Sequence, residues 1–306
     1  MQKRKVIILS SLIITSILFF ILVSQSEPEQ TYRIGVLMTG ENRIEKLRVM
    51  ESGLLHLGYD LEKIEFITMS AFDDLQKLPP LTEHLLSEQL DLVVTLGGIE
   101  TQVVKDYLVE SQKELPVVFV GIAAPSELGL IEEYALPGTS FTGVNNFHLN
   151  LSSKRLEMFN DLVPKMERVV VLYNGNIEIS ALSYKVVSET AKQLNINIYA
   201  YNIEEDPSFQ KLEEQLQEGD GIFILPSYQI ETLSSEIANL ALKYRLPSMG
   251  IYRSEVEDGY LFSYGSSFYE QGFQAARHVS LILQGNNPGQ LPVELPDSIR
   301  FFMNEK

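Results

Sequence analysis

The sequence contains no cysteine. That single absence removes disulfides, thiolate nucleophiles and cysteine metal sites together. Positive charge is also scarce: 24 lysines and arginines stand against 41 aspartates and glutamates, for a formal charge of −17. Nothing in such a chain would neutralise a phosphate backbone, so nucleic acid is excluded as a partner. The acidic residues are spread through the helical stretches and read as a soluble surface. His56, His84, His148 and His278 are scattered, without His-x-x-His or Glu-x-x-His spacing, and imply no metal centre. There is no P-loop, no Gly-x-Ser-x-Gly elbow and no Gly-x-Gly-x-x-Gly turn. The turn from Thr95 to Glu100 has glycines at the wrong spacing for a dinucleotide. No cofactor is implied, and no nucleophile or acid–base pair that would make the chain an enzyme.

What is present begins with a basic start, Lys3-Arg4-Lys5, and an uncharged apolar run from Val6 to Val23. As a helix, those 18 residues would span roughly 27 Å, enough to cross a hydrocarbon core. Signal-peptide cores are usually shorter, and Ser24-Gln25-Ser26 offers small residues but no Ala-x-Ala site. The reading favours an uncleaved anchor over a cleaved signal, with the basic end in the cytoplasm. Both place the remainder outside the cytoplasm.

The rest of the chain alternates strand and helix, which implies right-handed crossovers and parallel sheets. Strands are expected at Tyr32–Met38, Ile64–Thr68, Leu92–Leu96 and Pro116–Val120. The helical pattern between Asp73 and Gln89 is expected to break at Pro79-Pro80. The stretch from Leu115 to Phe147 organises the whole. Its apolar run fits a strand buried on both faces, and Gly121 to Pro125 turns at the carboxyl edge where open α/β sheets hold ligands. A further strand, Ser140–Val144, ends at Asn145-Asn146, where the chain leaves one lobe for another. Beyond it the pattern restarts, with a helix over Ile179–Leu194 expected to bury Leu182, Val186, Thr190, Ala191 and Leu194. A helix is expected over Phe268–Leu283 and a last strand over Ile299–Met303.

Four segments carry a resemblance: Leu90–Gly97, Leu115–Asn145, Arg168–Asn174, and Tyr264–Gly272 running on to Pro288. Together they resemble the tryptophan/phenylalanine-type substrate-binding proteins of bacterial ABC importers, over nearly the whole chain after Tyr32. The resemblance implies a two-lobed periplasmic-binding-protein type I fold, each lobe a parallel sheet flanked by helices, with the ligand cleft between lobes. It implies residues 31–145 plus 266–288 in lobe one and 146–265 plus 289–306 in lobe two, after a signal or anchor and linker over 1–30. The late helix would return to lobe one and the final strand to lobe two. The family often has an acidic residue just before the proline of the central loop, where this chain has Ala124.

The candidate ligand residues lie at strand ends facing the cleft: Thr39, Gly40, Gly98, Ile99, Glu100, Ala123, Ala124, Asn145, Asn146, Tyr173, Asn174, Ser227, Tyr228, Tyr252 and Tyr264. Such a site needs apolar walls and a few placed polar groups, and tyrosine offers an apolar body with a hydroxyl tip. Helix amino ends after Gly98 and near Asn176 can hold a carboxylate. Glu100 has two readings, partner of a ligand ammonium or a helix-dipole acid. Two functions are open: delivery of a small organic solute to ABC permease subunits, or a membrane-tethered sensor reporting occupancy to a signalling partner. The apolar run and the missing lipid-attachment cysteine suit the sensor.

Overall fold

The computed structural model describes residues 31–305; the apolar run over 6–23 lies outside them. Among the described residues no helix is long and apolar enough to cross a membrane. The first half runs β1 (Tyr32–Met38), α1 (Ile44–His56), β2 (Ile64–Ser70), α2 (Leu78–Ser87), β3 (Leu92–Thr95), α3 (Gly98–Ser111), β4 (Val117–Ile122) and β5 (Phe141–Asn145). These strands form one five-stranded sheet in the order β2-β1-β3-β4-β5, and every pairing is parallel. Each of β3, β4 and β5 is buried along its whole length, which is why their sequences run apolar rather than alternating.

The second half runs α4 (His148–Leu162), β6 (Arg168–Tyr173), α5 (Glu178–Leu194), β7 (Ile198–Asn202), α6 (Gln210–Gln215), β8 (Asp220–Ile224), α7 (Tyr228–Thr232), α8 (Ser234–Tyr244), β9 (Ser248–Gly250), α9 (Arg253–Asp258) and β10 (Phe262–Gly265). Helix α10 (Phe268–Leu283) and strand β11 (Arg300–Met303) complete the chain. The second sheet has the order β11-β10-β9-β8-β6-β7, with β11 antiparallel to β10 and the other pairs parallel. The molecule is therefore an α/β protein with two lobes, one on each sheet.

Helix α10 packs away from its sequence neighbours. Ala275, Ala276, Val279 and Ile282 join the core of lobe one with Leu47, Met50 and Leu54 of α1. A Cβ on Gly53 would meet Ala276 Cβ at 2.6 Å, so the glycine lets the two helices close together. After α10 the chain runs beside β5: Glu294 accepts from Asn145 N at 2.9 Å and donates to Gly143 O at 3.0 Å. Only past Leu295 does it cross to β11.

Two expectations need correction. Pro79-Pro80 does not break a helix; both lie in the first turn of α2, where a missing N–H leaves no bond unmade. On α5 the buried face is Ser180, Ser183, Val187 and Ala191, rotated from the expected one, and Leu194 is 45% exposed. Small residues face α4 there, and Ser153 Oγ meets Thr190 Oγ1 at 2.8 Å.

Candidate ligand-binding site

A cavity of about 280 Å³ lies between the lobes. Its walls come from the carboxyl ends of β4 and β5, the amino ends of α3, α5 and α7, and residue 43 before α1. Of the residues expected from sequence, Gly98, Ile99, Glu100, Ala123, Asn146, Ser227, Tyr228 and Tyr252 line it. The others stand outside the lining. Thr39 lies behind Glu100 and donates its hydroxyl to Glu100 Oε2 at 2.7 Å. Gly40 packs against the Asp73 carboxylate. Ala124 is buried. Asn145 donates to Tyr134 Oη at 2.7 Å. Tyr173 stacks on Tyr184, with ring centroids 4.5 Å apart. Asn174 accepts from Asn176 N ahead of α5, and Tyr264 pairs with Phe301 across β10 and β11.

Sequence reasoning missed Arg43, His148 and Glu231. Arg43 is 6% exposed and forms an ion pair with Glu231 of the other lobe at 2.9 Å. Burial works against its charge, but Glu231 and then Glu100 more than offset this and hold the guanidinium above its ordinary value. Its Nη1 donates to Leu96 O at 3.4 Å, and its Cζ lies 5.9 Å from the Tyr228 ring centroid. Behind the floor, Lys46 is fully buried and donates to the carbonyls of Leu96 and Val120 at 2.8 and 2.9 Å. Burial first, then repulsion by Arg43, pulls its ammonium below the ordinary value.

His148 sits where the chain first crosses between sheets. Its Nε2 lies 3.2 Å from Ser266 Oγ at the second crossing, and its Nδ1 lies 3.4 Å from Tyr252 Oη. Burial, with repulsion from Arg155 and Lys46, holds the imidazole well below its ordinary value, so it is neutral. Ser266 also donates to Asn146 O at 3.0 Å, and Asn146 Nδ2 donates to Gly121 O at 2.8 Å. The first two crossings and the end of β4 are thus tied by side-chain bonds. Phe147, between the asparagine pair and α4, takes φ 62.

Two sheets, parallel except for β11, chain segments crossing between them and a cavity at the carboxyl edges of both define a two-lobed solute-binding protein of the periplasmic-binding-protein type I fold. The family model described as ABC transporter substrate binding protein matches residues 33–306, and the chain belongs to that family. It is a small-ligand-binding protein of an ABC transporter and not an enzyme. It is similar to a tyrosine-binding protein of Clostridioides difficile (strain R20291), at 22% identity over 250 residues, covering 81% of this chain and 71% of the relative. Among solved structures it is similar to a conserved domain protein from Vibrio cholerae O1 biovar El Tor, at 21% identity and a TM-score of 0.80, covering 89% of this chain and 92% of that one. An ABC domain from Streptococcus pneumoniae in complex with L-Trp gives 18% identity and a TM-score of 0.79, with the same two coverages, 89% and 92%. These structural likenesses speak for the fold.

Proposed function

We propose that this protein is the extracytoplasmic solute receptor of an ABC importer, capturing an amino acid or related small compound by lobe closure and delivering it to the permease subunits. The observation that carries the reading is the cavity between the lobes, whose mouth is spanned by direct contacts from Arg43 to Glu231 and from Tyr228 to Asp73. The amino-acid class is supported by the tyrosine-binding relative and the L-Trp complex. The proposed ligand contacts are the expected residues that line the cavity, joined by Arg43, His148 and Glu231. The apolar run over 6–23 is proposed to hold the receptor at the membrane.

The lobes are proposed as residues 31–145 with 266–295, and 146–265 with 300–305. The third boundary moves from 288 to beyond 295 because this segment bonds to β5 and to the loop before it: Leu291 O accepts from Thr142 Oγ1 at 2.8 Å on β5, and Val293 N donates to Tyr134 O at 2.8 Å in the loop. The hinge is the set of three crossings.

A thermal-shift screen of amino acids, peptides, purines and sugars tests the function. A ligand at 100 times its Kd stabilises the native state by about 2.7 kcal/mol. No rise in melting temperature with any of these classes would sink the solute-receptor reading.

A further inference from the structure

The charges and open bonding positions around the cavity narrow the ligand beyond amino-acid size. We propose that the site takes a compound with an aliphatic body and a net positive charge, its ammonium group held between Glu100 of lobe one and Ser227 of lobe two. This rests on the solute-receptor reading above.

Glu100 is 1% exposed and Ser227 3% exposed, and both line the cavity. Glu100 Oε2 is occupied by the Thr39 hydroxyl, while Glu100 Oε1 and Ser227 Oγ are buried without a hydrogen-bond partner. Two oxygens, one from each lobe, are the acceptors an ammonium needs, and a ligand bridging them ties its own capture to closure. An unmade bond at a buried carboxylate is costly, so Glu100 gains more from a cation than from a neutral donor.

The rest of the lining disfavours an added negative charge. Glu100, Glu178 and Glu231 face a single guanidinium, Arg43, in the lining, and neutral His148 contributes no charge. Arg43 is already engaged by Glu231 and by the Leu96 carbonyl. Its Nε is buried and without a partner, but a carboxylate drawn there would come up against Glu231 and Glu100. The amino ends of α3 and α5 each carry a carboxylate in the first turn, Glu100 and Glu178, and that like charge opposes a second anion there. The apolar walls are mainly aliphatic, from Ile99, Val103, Ile122, Leu128, Ile177 and Ile179, with the rings of Tyr228 and Tyr252 beside them.

The test uses the protein with a thermal-shift panel grouped by net charge: aliphatic amines, amino-acid amides and basic amino acids; zwitterionic amino acids; and aliphatic carboxylates. The tightest compound is then titrated calorimetrically into the native protein, Glu100→Gln and Ser227→Ala. We expect the tightest compound to carry a net positive charge. Glu100→Gln should weaken it about 10- to 100-fold, with the melting temperature of the unliganded variant kept by the remaining bond to Thr39. Ser227→Ala should weaken it by a smaller factor and serves if Glu100→Gln does not fold. A tightest compound that is zwitterionic or anionic, or a cation whose affinity stays within twofold in both variants, overturns this inference and leaves the receptor reading standing. Silence across the panel overturns this inference, and silence that extends to peptides, purines and sugars overturns the receptor reading as well.

Discussion

The hydroxyl of Tyr228 in lobe two donates to Asp73 in lobe one, to its backbone carbonyl and to its Oδ1, each at 3.0 Å. Asp73 is held for this at φ 64, beside Phe72 at φ 50. Two consecutive left-handed residues without glycine are strained, and they persist because Ser70 Oγ takes the Phe72 N–H and Thr39 O takes the Asp73 N–H. A strained loop of one lobe thus presents the acceptor for the other lobe's tyrosine.

Tyr228→Phe should shift the lobes toward opening. Loss of one net hydrogen bond of about 1 kcal/mol lowers the closed-to-open ratio about fivefold. The chain has no cysteine, so cysteines introduced at exposed Glu110 and Glu214 give two unique dye positions, one per lobe. The mean transfer efficiency should fall; an unchanged distribution would mean that this bond does not govern closure.

Glu231→Gln should also favour opening, and more strongly. Removing one partner of a buried pair costs about 3–5 kcal/mol while the other charge stays buried. Arg43 escapes that cost when the lobes part and water reaches it, so the effect should appear as a larger radius of gyration by small-angle scattering rather than as a large drop in melting temperature. A lower melting temperature with an unchanged radius would place the pair inside a rigid body instead.

Glu255 gives a pH dependence. Burial raises its carboxyl from the ordinary 4.5 to about 7, against the pull of the backbone N–H groups of Ile251 and Tyr252. Between those two values the folded state holds a proton that the unfolded state has released, so stability falls as pH rises through that window and levels off above it. Glu255→Gln should remove that slope and raise stability at pH 8, read from urea melts at pH 5 and pH 8. Equal slopes in the two proteins would show that the carboxyl titrates normally.

Gly121→Ala should disturb the crossings. Gly121 has φ 81, and a Cβ there would fall on Gln271 Oε1 and within 2.9 Å of Lys46 Nζ. Gln271 would have to leave Ser266, to which it now donates at 3.0 Å. With the backbone strain added, about 1–3 kcal/mol of stability should be lost, measurable as a shift in urea midpoint. A loss confined to a few tenths of a kcal/mol would show that the network repacks freely.

The elements whose ends carry their own chemistry were legible. Strand β1 and helix α10 occupy the expected residues, α10 because Ser267 and Glu270 form a capping box at its start. The α5 face was misread because buried serines look like solvent-facing residues to a hydrophobicity pattern. At the site, strand-end reasoning reached Gly98 to Glu100 and Ser227-Tyr228, since strand–turn–helix junctions are visible in sequence. Arg43 and Glu231 were not, because an ion pair between residues 188 positions apart has no local signature, and a lone arginine or glutamate in an acidic chain looks like surface.

The placement of α10 has a consequence for how the chain matures as it emerges from a channel in order. Lobe one's sheet is complete by Asn145, yet its core still waits for Ala275, Ala276, Val279 and Ile282. Until those residues arrive, Leu47, Met50 and Leu54 on α1 have no helix to cover them. The lobe begun first is therefore finished almost last, and a chain cut short before Phe268 would expose apolar surface on its amino-terminal half rather than only on the half that was truncated.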